Sequence, residues 1–585
     1  MLGDSAMKTR MRSASAGNVT GVILLALSLL AGLLLRFQFA EWMSLDYARW
    51  LYPWINFIQD HGYFGALRFA FTNYAPAYVL LLTSFVTLLP HVPPILIPKL
   101  ISLPFELVSA IGIAQIVAFK HRANLLPQLA FSLVWLWPTV IINGAVWGQA
   151  DAIYASFIVW CVWALCSRRF SLAVALFALS FAFKLQALFF APLIGMLVLR
   201  RVIPWRALLW VPVAFAGAAL PAIMVGAAPD QALGAYALQI GSIEGLSMNA
   251  PSIFAFMPLI MLDPGYALFL NVGLAACAVF VGAFALRMWR VKPHALQQPL
   301  FILSASVVLL LGVPFWLPRM HERYFYAGEL LAIALAMHVA WFWVAAILAE
   351  IASLNTYLYA MLNQNWLSLR ASAVAMGAAF LAACVNWVMV SRHADVSPNA
   401  VNHAGKPLLR SPEVWASVVM TVLLLVALPV GAWARTNIAP ARQTATFTRD
   451  AGDQQAHLEG ATAWLCPGYV RVDLDWVSVK NVPASVSVFV HAFNADGERI
   501  AVADGILNDG RMTFADWRAP LAEQRYITPT QAASTTEVHL GLYDRDTLQR
   551  FRAVRRDSAE WPDNTVILPV QKSDCVEQLD VPGIK

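Results

Sequence analysis

The feature that most limits what this chain can become is the recurrence, along its first 430 or so residues, of apolar runs about twenty residues long. Such a run, coiled at about 1.5 Å per residue, spans the roughly 30 Å hydrocarbon core of a bilayer. With 59% of residues hydrophobic and only 13% charged, the chain reads as a polytopic α-helical membrane protein. The first run, Val19 to Leu35, follows Lys8, Arg10 and Arg12 and looks at first like a secretory leader. Many further spans follow and no Ala-x-Ala-like site stands out, so it reads as a retained first helix behind a cytoplasmic tail, residues 1–17.

A formal net charge of +6 would suggest nucleic acid in a soluble protein. Here the basic residues fall in short loops between apolar runs, where the positive-inside rule accounts for them and no nucleic-acid partner is implied. Lys120-His121-Arg122, Arg168-Arg169, Arg200-Arg201 with Arg206, Arg287 to Lys292, and Lys406 with Arg410 mark the cytoplasmic side. Parity then makes 37–98 an external loop, within which Ala77 to Leu89 dips into the membrane or lies on it. Leu125 to Ile142 delivers Trp147 to Asp151 outside, and Ser171 to Leu199 reads as a hairpin carrying Lys184-Leu185-Gln186 to the same side. Pro299 to Leu317 presents Arg319 to Tyr324 there too. Two short crossings are required between Phe325 and Leu362, and Val414 to Ala434 is the last span, about thirteen in all. The expected membrane domain is 18–436, with the N-terminus cytoplasmic and the C-terminus on the opposite side.

From about Pro440 the texture changes. Period-two alternation appears in Tyr469 to Val479, Ser485 to Phe493 and Glu537 to Tyr543, with turn signals at Asn494-Ala495-Asp496-Gly497 and Asn508-Asp509-Gly510. This predicts an extracytoplasmic β-sandwich over 440–585. Of six cysteines, Cys161, Cys166, Cys277 and Cys384 lie in apolar runs as small buried hydrophobes. Cys466 and Cys575 bracket the polar region, where one bridge would close the domain in an oxidising compartment.

The unusual polar residues gather on the outer side: Asp46, Tyr74, Trp147, Gln149, Asp151, Lys184, Gln186, Arg319, His321, Glu322 and Arg323. Ionisable groups at membrane depth are expensive and are functional candidates by default. Each has a plainer reading beside it. Asp46 and Asp151 are placed to cap helices, Lys184 to snorkel to the interface, and Trp147 to anchor there. In Arg319-Met320-His321-Glu322-Arg323, four polar side chains crowd five positions. If that segment is helical, Arg319, Glu322 and Arg323 share a face, and two guanidinium forks suit a phosphate. No metal-ligand spacing stands out, which leaves a divalent metal neither required nor excluded.

These segments together resemble the polytopic C-type glycosyltransferases that use polyprenyl-phosphate sugars, in particular the bacterial branch similar to the second GPI mannosyltransferase. The matching stretches are Asp46 with Trp50 and Trp54 ahead of His61-Gly62-Tyr63, Asn73-Tyr74-Ala75-Pro76-Ala77-Tyr78, Trp147-Gly148-Gln149-Ala150-Asp151, Phe183-Lys184-Leu185-Gln186 with Pro192, and Met320-His321-Glu322-Arg323-Tyr324. They cover about 40 to 330. Relatives often read Tyr-Pro-Pro where this chain has Tyr74-Ala75-Pro76. The resemblance implies an acidic base in the first external loop, here Asp46, and a donor phosphate held by Lys184, Arg319 or Arg323 with His321. Tyr74, Trp147, Gln149, Asp151, Gln186 and Glu322 would then support the substrates. The C-terminal domain resembles those appended to some bacterial members, with a glycan-binding role implied.

The expected activity is inverting transfer of a sugar, mannose among the candidates, from a polyprenyl-phosphate donor to an extracytoplasmic glycan, lipid or protein acceptor. Sugar choice would fall to the loop around Gly241 to Pro251, with Glu244 and Asn249 as candidates. Two rival readings are a flippase of lipid-linked sugars, which would place polar residues near the midplane or on both sides, and an inactive anchor displaying a carbohydrate-binding domain.

Overall fold

The structure is a computed structural model. It describes residues 2–393, 415–420 and 443–572, apart from 41, 43, 45, 123, 235, 237–244, 258–264, 363–365, 450–452, 467–468, 508–512, 516, 518–520, 528–533 and 556–558. The chain divides into two compact units: Met1–Met43, Phe57–Ala360 and Asn365–Ala432 form the first, and Ser44–Asn56, Met361–Gln364 and Trp433–Lys585 the second. Ser44–Asn56, read from sequence as part of the membrane domain's first loop, packs with the C-terminal strands instead.

The first unit is helical and membrane-embedded in character. Among the described residues, seven helices are long and apolar enough to cross a bilayer: Val19–Gln38, Pro94–His121, Trp205–Met224, Tyr266–Arg290, Pro299–Trp316, Ala340–Met361 and Leu369–Arg392. An eighth candidate span, Leu126–Trp135 with Pro138–Val146, bends by 45° at its break. The cause is local, since Pro138 lacks an N–H and forces Trp137 into an extended conformation (φ −64°, ψ 129°). Four apolar helices are shorter, among them Pro76–Leu88, Asp151–Cys166 and Phe170–Phe183. The 13 residues of Pro76–Leu88 reach only about 20 Å.

Burial sorts these helices by position. Pro299–Trp316 has 83% of its apolar window buried, while Trp205–Met224 has 11% and Tyr266–Arg290 17%. The first is a central helix, and the other two leave most of their apolar surface exposed, the pattern a helix hydrophobic all round has at a bilayer-facing position. Between Phe325 and Leu362 the helices Tyr326–His338 and Trp343–Leu362 are separated by an extended Val339 and one 3-10 turn, Ala340–Phe342. The span expected over Val414 to Ala434, the basic pair Lys406 and Arg410, and Glu244 lie wholly or mostly outside the described residues.

Within this unit a short parallel pair joins β1 (Ser247–Met248) to β2 (Met320–His321), with Ser247 opposite Met320 and Met248 opposite His321. This overturns the helical reading of Arg319 to Arg323. Arg319 has φ +64°, the next two residues are strand, and Glu322–Phe325 is a 3-10 turn. The two arginines therefore do not share a helix face.

The second unit is a sandwich-like β domain with nine strands among the described residues: β3 (Gln443–Arg449), β4 (Gln454–Cys466), β5 (Tyr469–Lys480), β6 (Val486–Asn494), β7 (Arg499–Val502), β8 (Leu521–Ile527), β9 (Thr535–Asp544), β10 (Arg552–Val554) and β11 (Val566–Lys572). The pairing path runs β10-β3-β4-β11-β9-β6-β7, with β5 bridging β4 to β8. β11 links the two halves, pairing antiparallel with β9 through Val566 to Pro569 and parallel with β4 through Val570 to Lys572. Alternation places Val486, Val488, Val490 and Ala492 of β6 in the core with Phe447, Val472, Leu474, Trp476, Leu540 and Leu542. Asn494 to Gly497 turns β6 into β7, with Gly497 at φ +78°. The second turn signal, Asn508-Asp509-Gly510, lies outside the described residues. Cys466 ends β4 and is disulfide-bonded, and β11 pairs Lys572 with Leu465 beside it. Cys575 lies outside the described residues.

Candidate functional site

Four charged side chains of the first unit converge where three chain breaks meet. The helix Phe170–Phe183 stops at Lys184, whose backbone is extended (φ −153°, ψ 135°). The helix Asp151–Cys166 begins at Asp151, and Ala150 occupies its cap position. Glu322 and Arg323 open the 3-10 turn after β2. Each break turns a polar side chain inward, so residues 151, 184 and 322–323 meet in the interior.

Asp151, fully buried, is the hub. Its Oδ1 accepts from Lys184 Nζ at 2.6 Å, its Oδ2 from Asn143 Nδ2 at 3.2 Å, and Arg323 Nε lies 3.6 Å from Oδ2. The carboxylate is thus turned to charged partners rather than to helix capping. Arg323 also donates from a terminal guanidinium nitrogen to Glu322 Oε1 at 2.8 Å, and its guanidinium stands 5.3 Å from the Trp147 ring centroid. Burial alone would raise the Glu322 carboxyl, but the hydrogen bond from His321 and the Arg323 charge beside it hold it below the usual carboxylate range. Two carboxylates and two cations balance to zero. That balance is the condition for keeping four charges in a nearly dry place.

The loop Trp147 to Ala150 is shaped to present this hub. It follows a π-helical turn, Ile142–Val146, a widened coil that often marks a functional position. Trp147 N–H reaches back to Ile142 O at 2.8 Å, and Gln149 N–H to Asn143 O at 2.9 Å. Gly148 takes φ +75°, which a side chain would disfavour. Tyr74 donates to Gln149 Oε1 at 3.5 Å, and Ser102 to Gln149 O at 2.6 Å. Gln186, two residues after Lys184, is 7% exposed, and its Oε1 has no hydrogen-bond partner among the described residues.

Arg319 does not join this cluster. Its Nε donates to Tyr266 Oη at 2.9 Å, and its backbone N–H donates to Leu246 O. His321 stands at the margin, 3.8 Å from Glu322. Asp46 belongs to the other compact unit, half-buried at the start of a π-helical turn, Tyr47–Leu51, that packs on β8. It makes no side-chain cap bond. Ser44 does that work instead, its hydroxyl accepting from Tyr47 N–H at 3.1 Å.

Several polar groups around the site escape a reading of the sequence. Asn143 bridges Asp151 and the Tyr357 hydroxyl, 3.4 Å away. Glu106 pairs with Arg36 at 2.7 Å and lies so close to Gly144 that a β-carbon there would sit 1.7 Å from its Oε1. Thr139 binds Glu350 Oε2 at 2.8 Å and Glu329 Oε2 at 3.2 Å, with Ser353 completing the group. An isolated acid inside an apolar run was the available signal for Glu106, Glu329 and Glu350. No cluster of three or more metal-ligating side chains occurs among the described residues. No protein-family model and no curated protein matches the chain.

Proposed function

We propose that this chain is a membrane glycosyltransferase that moves one sugar from a polyprenyl-phosphate donor to an acceptor hydroxyl on the extracytoplasmic side. The observation that carries the reading is the buried convergence of Lys184 and Arg323 on Asp151 and Glu322. Cations aimed into a low-dielectric site stabilise the charge that grows on a departing phosphate, commonly the largest electrostatic term in such transfers. An apolar groove lined by Leu67, Phe69, Val79 and Ala222, with Arg68 and Tyr74 among its walls, suits the lipid chain of the donor.

In this scheme the acceptor oxygen attacks the anomeric carbon from the face opposite the phosphate. The bond from that carbon to the phosphate oxygen breaks, the configuration inverts, and the acceptor proton passes to a carboxylate. Asp46 is the proposed base, a role that rests on the sequence resemblance and on the general requirement for an ionised acceptor of that proton. About thirteen spans with the β domain outside the cytoplasmic membrane complete the picture.

The test is direct. Purified full-length protein in detergent is incubated with candidate polyprenyl-phosphate sugars, mannose first, and consumption of the lipid donor is followed. Asp46→Asn is expected to lower turnover by at least about a hundredfold with donor binding kept. Normal transfer by that variant would remove Asp46 from the mechanism, and no consumption of any donor by the wild-type protein would remove the transferase reading itself.

A further inference from the structure

Lys184 is an ammonium group with three protons to place, enclosed until only 8% of the residue is exposed. Among the described residues its one hydrogen-bond acceptor is Asp151 Oδ1, at 2.6 Å. The Tyr154 ring lies 5.8 Å away and offers a weak π contact. Other buried cations of this protein are saturated differently. Arg36 donates to Gly32 O and Trp135 O as well as to Glu106, and Arg525 to Ala503 O, Gly505 O and Ile506 O as well as to Glu523. Main-chain carbonyls cannot leave, so those two cations are fixed in place. Among the described residues Lys184 has a single hydrogen-bonding side-chain partner, and its other ammonium protons are enclosed with it.

We propose that Asp151 is a positioning residue and internal counterion: it orients Lys184, with the Arg323 charge beside it, and a phosphate-type oxyanion binds there by taking up ammonium protons of Lys184 in competition with it. The proposal rests on the reading of Lys184 as a phosphate ligand and adds who holds it ready. Two donors already converge on the Asp151 carboxylate, Asn143 Nδ2 and Lys184 Nζ, and the Arg323 guanidinium stands 3.6 Å from it. A tetrahedral oxyanion offers more acceptor positions than a carboxylate and carries equal or greater charge, so it can satisfy ammonium protons that Asp151 does not reach. The cluster sets two carboxylates against two cations, so removing one carboxylate charge shifts its balance by one unit toward the anion.

The experiment measures binding of geranyl monophosphate, with inorganic phosphate as a parallel probe, to purified full-length protein in detergent by calorimetry. Asp151→Asn leaves the cluster with one excess positive charge and is expected to bind geranyl phosphate about tenfold more tightly than wild type. Transfer at saturating donor is expected to fall, because Lys184 is no longer aimed. The double variant Asp151→Asn with Lys184→Gln is expected to bind more weakly than Asp151→Asn alone. Tightening seen with inorganic phosphate as well assigns the recognition to the anion, and tightening confined to the lipid phosphate assigns it to anion and chain together; both support the proposal.

Unchanged or weaker binding by a folded Asp151→Asn overturns it. If that variant does not fold, Asp151→Glu serves: it keeps the charge and displaces the carboxylate, so affinity should hold while rate falls, and a wild-type rate would overturn the proposal. Binding needs no sugar transfer, so tightening without any transferase activity would refute the transferase reading and leave the anion site standing.

Discussion

The two units of this protein bury ion pairs in different ways. In the β domain, Arg525 and Glu523 are 7% and 5% exposed, and their groups are consumed by the fold. Arg525 holds three carbonyls of the Ala503–Ile506 segment, and Glu523 Oε2 accepts from the indole of Trp476 at 3.3 Å. In the membrane unit, Lys184 is as deeply enclosed yet is tied to a side chain alone among the described residues. The cost of desolvation applies to both pairs. What separates them is the partner: a cation saturated by backbone is part of the scaffold, while one held by a carboxylate can exchange it for another anion.

The largest expected effect divides the two. Arg525→Met leaves Glu523 as an uncompensated buried charge and should cost the β domain about 3–5 kcal/mol, read as loss of hydrogen-exchange protection in peptides covering 486–507. Lys184→Gln keeps an amide donor within reach of Asp151 and leaves the Arg323 charge beside it, so it should destabilise the protein less than Arg525→Met does while oxyanion binding falls sharply. Equal destabilisation by both substitutions would break the comparison, because Lys184 would then be scaffold too.

A smaller effect is expected at the turn that carries the hub. The β-carbon of Gly144→Ala would fall 1.7 Å from Glu106 Oε1, and the Arg36–Glu106 pair is itself fixed by Gly32 O, Trp135 O and the Trp135 ring 3.8 Å from the guanidinium. Something must move, and overpacking of this kind costs about 1–3 kcal/mol. We expect a lower melting temperature and weaker oxyanion binding together, since Asn143 is the next residue along. A variant that lost stability without any change in binding would show that the π-helical turn does not position the hub.

What the sequence made legible follows from the range of the forces involved. The apolar runs and the alternation of β5, β6 and β9 are local patterns, and the helices and strands form where those patterns lie. Lys184 and Asp151 stood out because a charge amid apolar residues is visible without knowing its partner. The partners were not visible. Asn143 is unremarkable until Asp151 is seen beside it, and Thr139 meets Glu350 across 211 positions. The helical reading of Arg319 to Arg323 failed for the same reason: Ser247–Met248, some seventy residues earlier, imposes a strand on Met320–His321. Asp46 drew attention as a candidate base, with helix capping as its plainer reading; Ser44 performs the capping, and the grouping of Asp46 with the C-terminal strands has no local signature at all.

The smallest effect tests the opposite end of the comparison, a pair at the surface of the β domain. Asp504 lies 3.1 Å from His491 Nε2 and accepts the Val490 N–H at 3.1 Å. Its partial burial would raise the carboxyl, but the hydrogen bonds from His491 and Val490 and the Arg525 charge outweigh that and hold it below its usual range. A carboxyl whose folded value lies below its unfolded value, about 3.9 for aspartate, binds fewer protons in the folded state. Its contribution is therefore complete above the unfolded value and is lost as pH falls through the folded one. Because the aspartate is one-third exposed, solvent screening keeps that contribution under about 1 kcal/mol. Hydrogen exchange of the β6–β7 peptides should show Asp504→Asn less protected than wild type at pH 6, with the two converging as the pH is taken toward 3. A gap that stayed constant or widened in acid would mean that Asp504 acts there through packing and not through its charge.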